Sequence, residues 1–222
     1  QRLAELYPQL GLPVPQTDDP LPRPEEQDDK GKGRWGAANR DYWQQEEAGQ
    51  RFESVEDMLA FSPLAQGDFT GWHVVVDGDY RSEEVVYERY RRNYPAAWGD
   101  RAPAGSSASV GFYNTMFMWP LLVFGYENFL SICLEPAFER IMDEFAEINR
   151  RVFRAFARLP VNFVVCHDDI VITRGPVCSP EWMHKHVFPR YEEYWSILKD
   201  AGKEVLFMSD GNMDAFADDV MA

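Results

Sequence analysis

From Pro136 to Asn212 the chain alternates between helical periods and short apolar runs, and this alternation constrains the fold more than any other feature. Phe138, Ile141, Met142, Phe145, Ile148, Val152, Phe153 and Phe156 recur at steps of three and four, which predicts a helix over Pro136 to Leu159 with one buried face. Pro160 ends it. The run "VNFVVC" (161–166) then reads as a fully buried strand, because apolar residues at both parities suit a parallel sheet covered on both sides. A second helix opens at "SPEW": Ser179 caps, Pro180 sits where its missing donor is not needed, and Glu181 complements the helix dipole. It is expected to run to Ala201, kinked at Pro189, with Gly202 as C-cap. "EVLFM" (204–208) is the next strand, and it enters "SDGN" and a further helix.

Other segments extend this pattern. "SSASVGF" (106–112) predicts an earlier strand, and "SVEDMLAF" from Ser54 and "SEEVVYERYRRN" from Ser82 open with caps and acids that suit helix N-termini. Residues 13–33, with five prolines and many charges, read as a polar connector. A chain of 222 residues that is 45% hydrophobic is expected to form a single domain over 1–222. Alternating strands and helices predict a parallel α/β fold, either a (β/α)8 TIM barrel or an open doubly wound sheet.

Composition excludes some functions. No apolar run approaches the ~20 residues of a bilayer crossing, so no membrane association and a cytoplasmic location are expected. A net charge of -15 disfavours a nucleic-acid backbone as partner. Cys133, Cys166 and Cys178, odd in number and widely spaced, are expected to be reduced thiols.

In either parallel architecture chemistry gathers where strands end. Those ends carry Tyr113 and Asn114, then His167, Asp168 and Asp169, then Asp210 and Asn212, with Trp119 in the aromatic stretch "FYNTMFMW" nearby. Three acids in one cleft should raise at least one carboxyl pKa, since like charges disfavour double ionisation, and such an acid could protonate a leaving oxygen. Each residue also has a plainer reading: the His167 to Asp169 group as loop or helix caps, Asp210 and Asn212 as a tight turn around Gly211, and the aromatic stretch as core. His184 and His186, two apart on a helix, cannot share a face and are not expected to bind a metal together.

The stretch "DDIVITRGPVCSPEWMHKHVFPRYEEYWSILKDAGKEVLFMSDGN" resembles the uroporphyrinogen decarboxylase superfamily in its acid pair, Gly-Pro, Ser-Pro-Glu helix start, mid-helix Pro and Gly-Asn turn. "FGYENFLSICLEPAFERIMDEF" is similar to the segment that precedes them, so the resemblance spans 111–214, with "GRWGA" a looser anchor upstream. It implies a TIM barrel and two activities: cofactor-free decarboxylation of uroporphyrinogen, or methyl transfer to or from a corrinoid protein, often with zinc. The arginine-rich N-terminal stretch with which the decarboxylases hold substrate carboxylates has no counterpart here, and "HDDIVITRGP" is more similar to the methyltransferase branch.

The leading expectation is therefore a methyltransferase moving a methyl group from a small methoxylated or methylated substrate to a corrinoid carried by a partner protein. Uroporphyrinogen decarboxylase, needing no cofactor, and a non-catalytic binding barrel are the alternatives, and a homodimer is one expected assembly. Under the resemblance His167, Asp168, Asp169 and Asp210 are the expected catalytic residues, and Tyr113, Asn114, Trp119 and Asn212 the substrate-binding ones. His167 and Asp210 are the expected zinc ligands, with Met208 and Asp210 standing where the zinc methyltransferases have His and Cys. Because a full barrel takes about 250 residues, the barrel is expected to be incomplete in this chain.

Overall fold

The computed structural model describes residues 51–72, 77–93 and 109–221. The chain divides into two compact units, Gln1–Tyr42 and Trp43–Ala222, and every described residue belongs to the second. The 13–33 connector, the "GRWGA" anchor and residues 106–108 of the first expected strand lie outside the described residues.

In order along the chain the elements are α1 (Val55–Ala60), α2 (Pro63–Gln66), α3 (Glu83–Asn93), β1 (Ser109–Phe112), α4 (Met118–Phe124), α5 (Tyr126–Ile132), α6 (Phe138–Arg158), β2 (Phe163–His167), β3 (Val171–Ile172), β4 (Gly175–Pro176), α7 (Pro180–His186), α8 (Phe188–Asp200), β5 (Glu204–Met208) and α9 (Ala217–Met221). The protein is thus mixed α/β. Its main sheet has the order β1-β2-β5, parallel throughout, with Val110 opposite Val164, and Cys166 opposite Phe207.

Local chemistry accounts for the boundaries. Ser54 accepts the Asp57 amide at 3.1 Å, Ser82 accepts that of Val85 at 3.2 Å, and Ser179 accepts that of Trp182 at 3.3 Å, each satisfying an amide that has no partner within its helix. Leu159 turns extended ahead of Pro160, and the Lys203 ammonium donates to the carbonyls of Leu159 and Val161 at 2.7 and 3.0 Å, tying the end of α6 to the start of β5. The expected kinked helix over 179–201 is instead two helices parted at Val187. Pro189 has no N–H and its ring crowds the carbonyl four residues back, so the chain breaks just before it and restarts with Pro189 in the first turn of α8.

Helix α6 buries Phe145, Ile148, Val152, Phe153 and Phe156, the face its period predicts. It packs against α8, where Phe153 stacks on Tyr194 with ring centroids 4.7 Å apart. Both helices cover one face of the sheet: Phe112 meets Phe153 and Phe156, and Phe207 meets Tyr191 and Trp195. Strand residues of one parity, Val110, Phe112, Val164 and Cys166, are buried there. Those of the other parity, apart from His167 at the end of β2, are not: Gly111 is exposed, Phe163 and Val165 are half-buried, and Leu206 and Met208 are 49% and 43% exposed. The expectation that "VNFVVC" is buried on both faces therefore holds for only one face among the described residues.

Candidate functional site

The parallel register carries β1, β2 and β5 to a common end, where the expected site residues emerge. His167, the last residue of β2, is 7% exposed, and its Nε2 lies 2.9 Å from Asp169 Oδ1. A carboxylate only accepts, so in this pair Nε2 is the donor and Nδ1 is left for another partner. Nδ1 is buried and has no hydrogen-bond partner. The same Asp169 Oδ1 accepts the Asp210 backbone N–H at 2.9 Å, which joins the end of β5 to the pair. Just past β1, the ring of Tyr113 lies against the imidazole with centroids 3.9 Å apart. Thr115 donates its N–H and its hydroxyl to the His167 carbonyl, both at 3.2 Å. Tyr113, His167, Asp169 and the Asp210 backbone are thus brought together.

Asp168 faces the other way. Its carboxylate accepts the amides of Met116, Phe117 and Met118 at 2.6, 2.6 and 2.7 Å, and the Tyr191 hydroxyl at 2.7 Å, with no exposure at all. It anchors the turn leading into α4, where free amides favour a negative charge. Burial pushes its carboxyl up to about 6, against the pull of those donors toward the charged form. A raised carboxyl pKa was expected from like charges; the cause is burial. The residue expected to be catalytic therefore has every visible contact of a structural anion.

Four other expected site residues, Trp119, Asn212, Asp210 and Asn114, have different surroundings. Trp119 is fully buried among core rings, 4.8 to 5.7 Å from those of Tyr80, Phe69, Phe112 and Phe145, which fits the plainer reading of its stretch as core. Asn212 is exposed, donates its N–H to Ile172 at 3.0 Å and accepts the Asp214 amide at 2.9 Å, the geometry of a turn. The Asp210 side chain is also exposed. Asn114 is fully buried, and neither its amide oxygen nor its nitrogen has a partner.

Zinc fits these residues poorly. Catalytic zinc takes three protein ligands, and no cluster of three His, Cys, Asp or Glu side chains with that geometry occurs among the described residues. The imidazole nitrogen nearest an acid is committed to Asp169. The cysteines are free thiols, and burial raises Cys166 and Cys178 to about 12, far from the thiolate a metal requires. His184 binds Asp219 at 3.0 Å and His186 lies against the Trp182 ring, so the two share no site.

Sequence reasoning missed Tyr191, and it read Gly211 as a turn residue without its close approach to Ile172. Tyr191 reaches Asp168 from 23 residues away on α8, a contact with no local signature. Gly211, at φ 119°, leaves no room for a Cβ, which would stand 2.8 Å from the Ile172 carbonyl carbon. The glycine in "SDGN" was the available signal. It locks the loop after β5 onto the β3–β4 hairpin, itself unanticipated in the stretch "DIVITRGP". No helix among the described residues is long and apolar enough to cross a membrane. No protein-family model, curated protein or solved structure matches this chain.

Proposed function

We propose that this unit is an arc of a (β/α)8 barrel of the uroporphyrinogen decarboxylase type, and that it transfers a methyl group from a small methoxylated or methylated compound to a corrinoid carried by a partner protein. The strand order supports the barrel reading: consecutive strands are neighbours, and both crossover helices lie on one face, whereas a doubly wound sheet places helices on two.

The observation that carries the functional reading is the His167–Asp169 pair at the C-terminal end of the sheet, with a buried imidazole nitrogen left over. The corrinoid, when bound, supplies the nucleophile that takes the methyl group. Protonated His167, held by Asp169, gives its Nδ1 proton to the substrate oxygen as the C–O bond breaks and the electron pair returns to that oxygen. Asp169 fixes the ring orientation and stabilises the imidazolium. The half-buried Val165 and exposed Leu206, on the same face as His167, offer apolar surface for the rest of the substrate. No step is drawn through zinc, because the donor set does not fit it.

The test is incubation of the full chain with a reduced corrinoid protein and methoxyarenes, following release of the demethylated phenol, beside incubation with uroporphyrinogen, following carbon dioxide. Phenol release that falls about 100-fold or more in His167→Asn is the expected result. Carbon dioxide release without demethylation would replace this reading with the decarboxylase, and inertness in both would leave a binding barrel.

A further inference from the structure

His167 reaches its position with one nitrogen engaged by Asp169 and the other sealed from solvent without a partner. A buried polar atom without a partner is destabilising, so its persistence needs a reason. The ring of Tyr113 lies against the imidazole, with centroids 3.9 Å apart and planes inclined by 56°. Tyr113 follows β1 on the parity of Gly111, and alternate residues of a strand share a face. That face is open. Gly111 is exposed, and among the described residues a Cβ built on it would meet Val165 alone, at the ordinary contact distances of 3.9 and 4.0 Å. The residue two places before the tyrosine thus leaves a vacancy on the surface along which a strand side chain leans when it changes rotamer.

We infer that Tyr113 is a gate over His167: its ring closes the imidazole in the resting protein and swings down the strand onto the space at Gly111 to uncover Nδ1. This rests on the proposed role of His167 as the reacting imidazole, but the gate is a property of the free protein and is measurable without substrate. A closed gate keeps Nδ1 dry between turnovers. Gly111 becomes a positioning residue, acting through the tyrosine it accommodates, and the turn held by Asp168 is the hinge post, since the anchored amides begin three residues beyond Tyr113.

The experiment is the rate at which diethyl pyrocarbonate acylates each histidine of the full chain, read by peptide mass spectrometry. The exposed His184 serves as internal reference. A minor open state of ~1–10% predicts that Tyr113→Ala speeds His167 labelling about 10- to 100-fold with His184 unchanged. Tyr113→Leu, which keeps an apolar side chain on the strand, should give a smaller rise, and Tyr113→Phe should leave the rate slow. Gly111→Val fills the receiving space at ordinary contact distance, so it should slow His167 below the parent. Equal labelling of His167 in the parent and both Tyr113 truncations, or no slowing in Gly111→Val, would overturn the gate. Loss of methyl transfer with these labelling rates intact would overturn the proposed reaction instead.

Discussion

The two faces of the β1-β2-β5 sheet are built from adjacent residues of the same strands, yet they have opposite surroundings. One face is sealed by α6 and α8, with Val164 and Cys166 wholly buried; the other leaves Leu206 and Met208 nearly half exposed. The alternation continues past the end of β2. Asp168 turns to the sealed side and meets four donors, whereas Asp169 turns back toward His167 on the open side. Two consecutive acids therefore do different work, one holding the turn into α4 and the other orienting an imidazole. Acidic residues at a strand end can be sorted by parity before they are assigned to chemistry.

The sharpest way to break this contrast is to remove each acid. Asp168→Ala leaves four buried donors without an acceptor, at about 1–3 kcal/mol each, so a loss above about 4 kcal/mol is expected in urea unfolding. Asp169→Ala should cost about 1 kcal/mol while abolishing the fixed tautomer of His167, visible in its imidazole nitrogen shifts. Equal losses would erase the distinction.

Truncating the sealed face comes next. Phe153→Ala should cost about 3–5 kcal/mol, the range for a fully buried aromatic. pH sharpens the comparison further. The folded Asp168 carboxyl titrates at about 6 against an ordinary 3.8, so the folded chain binds this proton more tightly than the unfolded one. Its contribution to stability is fully present below about 3.8 and is lost as pH rises through about 6. Comparing the parent with Asp168→Asn by urea midpoints from pH 4 to pH 7 isolates that slope, which the Asn variant should lack.

Gly211→Ala should cost about 1–3 kcal/mol, because it strains a left-handed φ of 119° and drives a methyl into the Ile172 backbone. The smallest effect should be Leu206→Ser on the open face, under about 0.5 kcal/mol. A loss of 2 kcal/mol or more there would mean that something covers this face in the full chain.

Much of the scaffold was legible because it is local. The period of α6, the serine caps at 54, 82 and 179, and the strand "EVLFM" all follow from spacing and from chemistry within a few residues. The helix break was misplaced by only a few residues, since Pro189 announces a disruption but the crowded carbonyl decides where it falls. The site was legible as a location, not as a set of roles. Trp119 has the composition of a pocket wall and lies in the core, because the rings that surround it come from residues 69, 80, 112 and 145.

By itself the sequence determined the course of α6 and of the main-sheet strands, that those strands are parallel, and that His167, Asp169 and the Asp210 backbone gather at one end of them. Periodicity and strand direction are enough for that, since both act along the chain. Only the tertiary structure decided that Asp168 is an anchor, that one sheet face is open, and that Tyr113 lies over a sealed imidazole nitrogen. Each of those depends on which distant group arrives at a given point in space: the Tyr191 hydroxyl from α8, the α6 and α8 faces on one side of the sheet, and β1 beside β2. A carboxylate buried among donors and a carboxylate beside an imidazole are the same two letters in the sequence, and packing alone separates them.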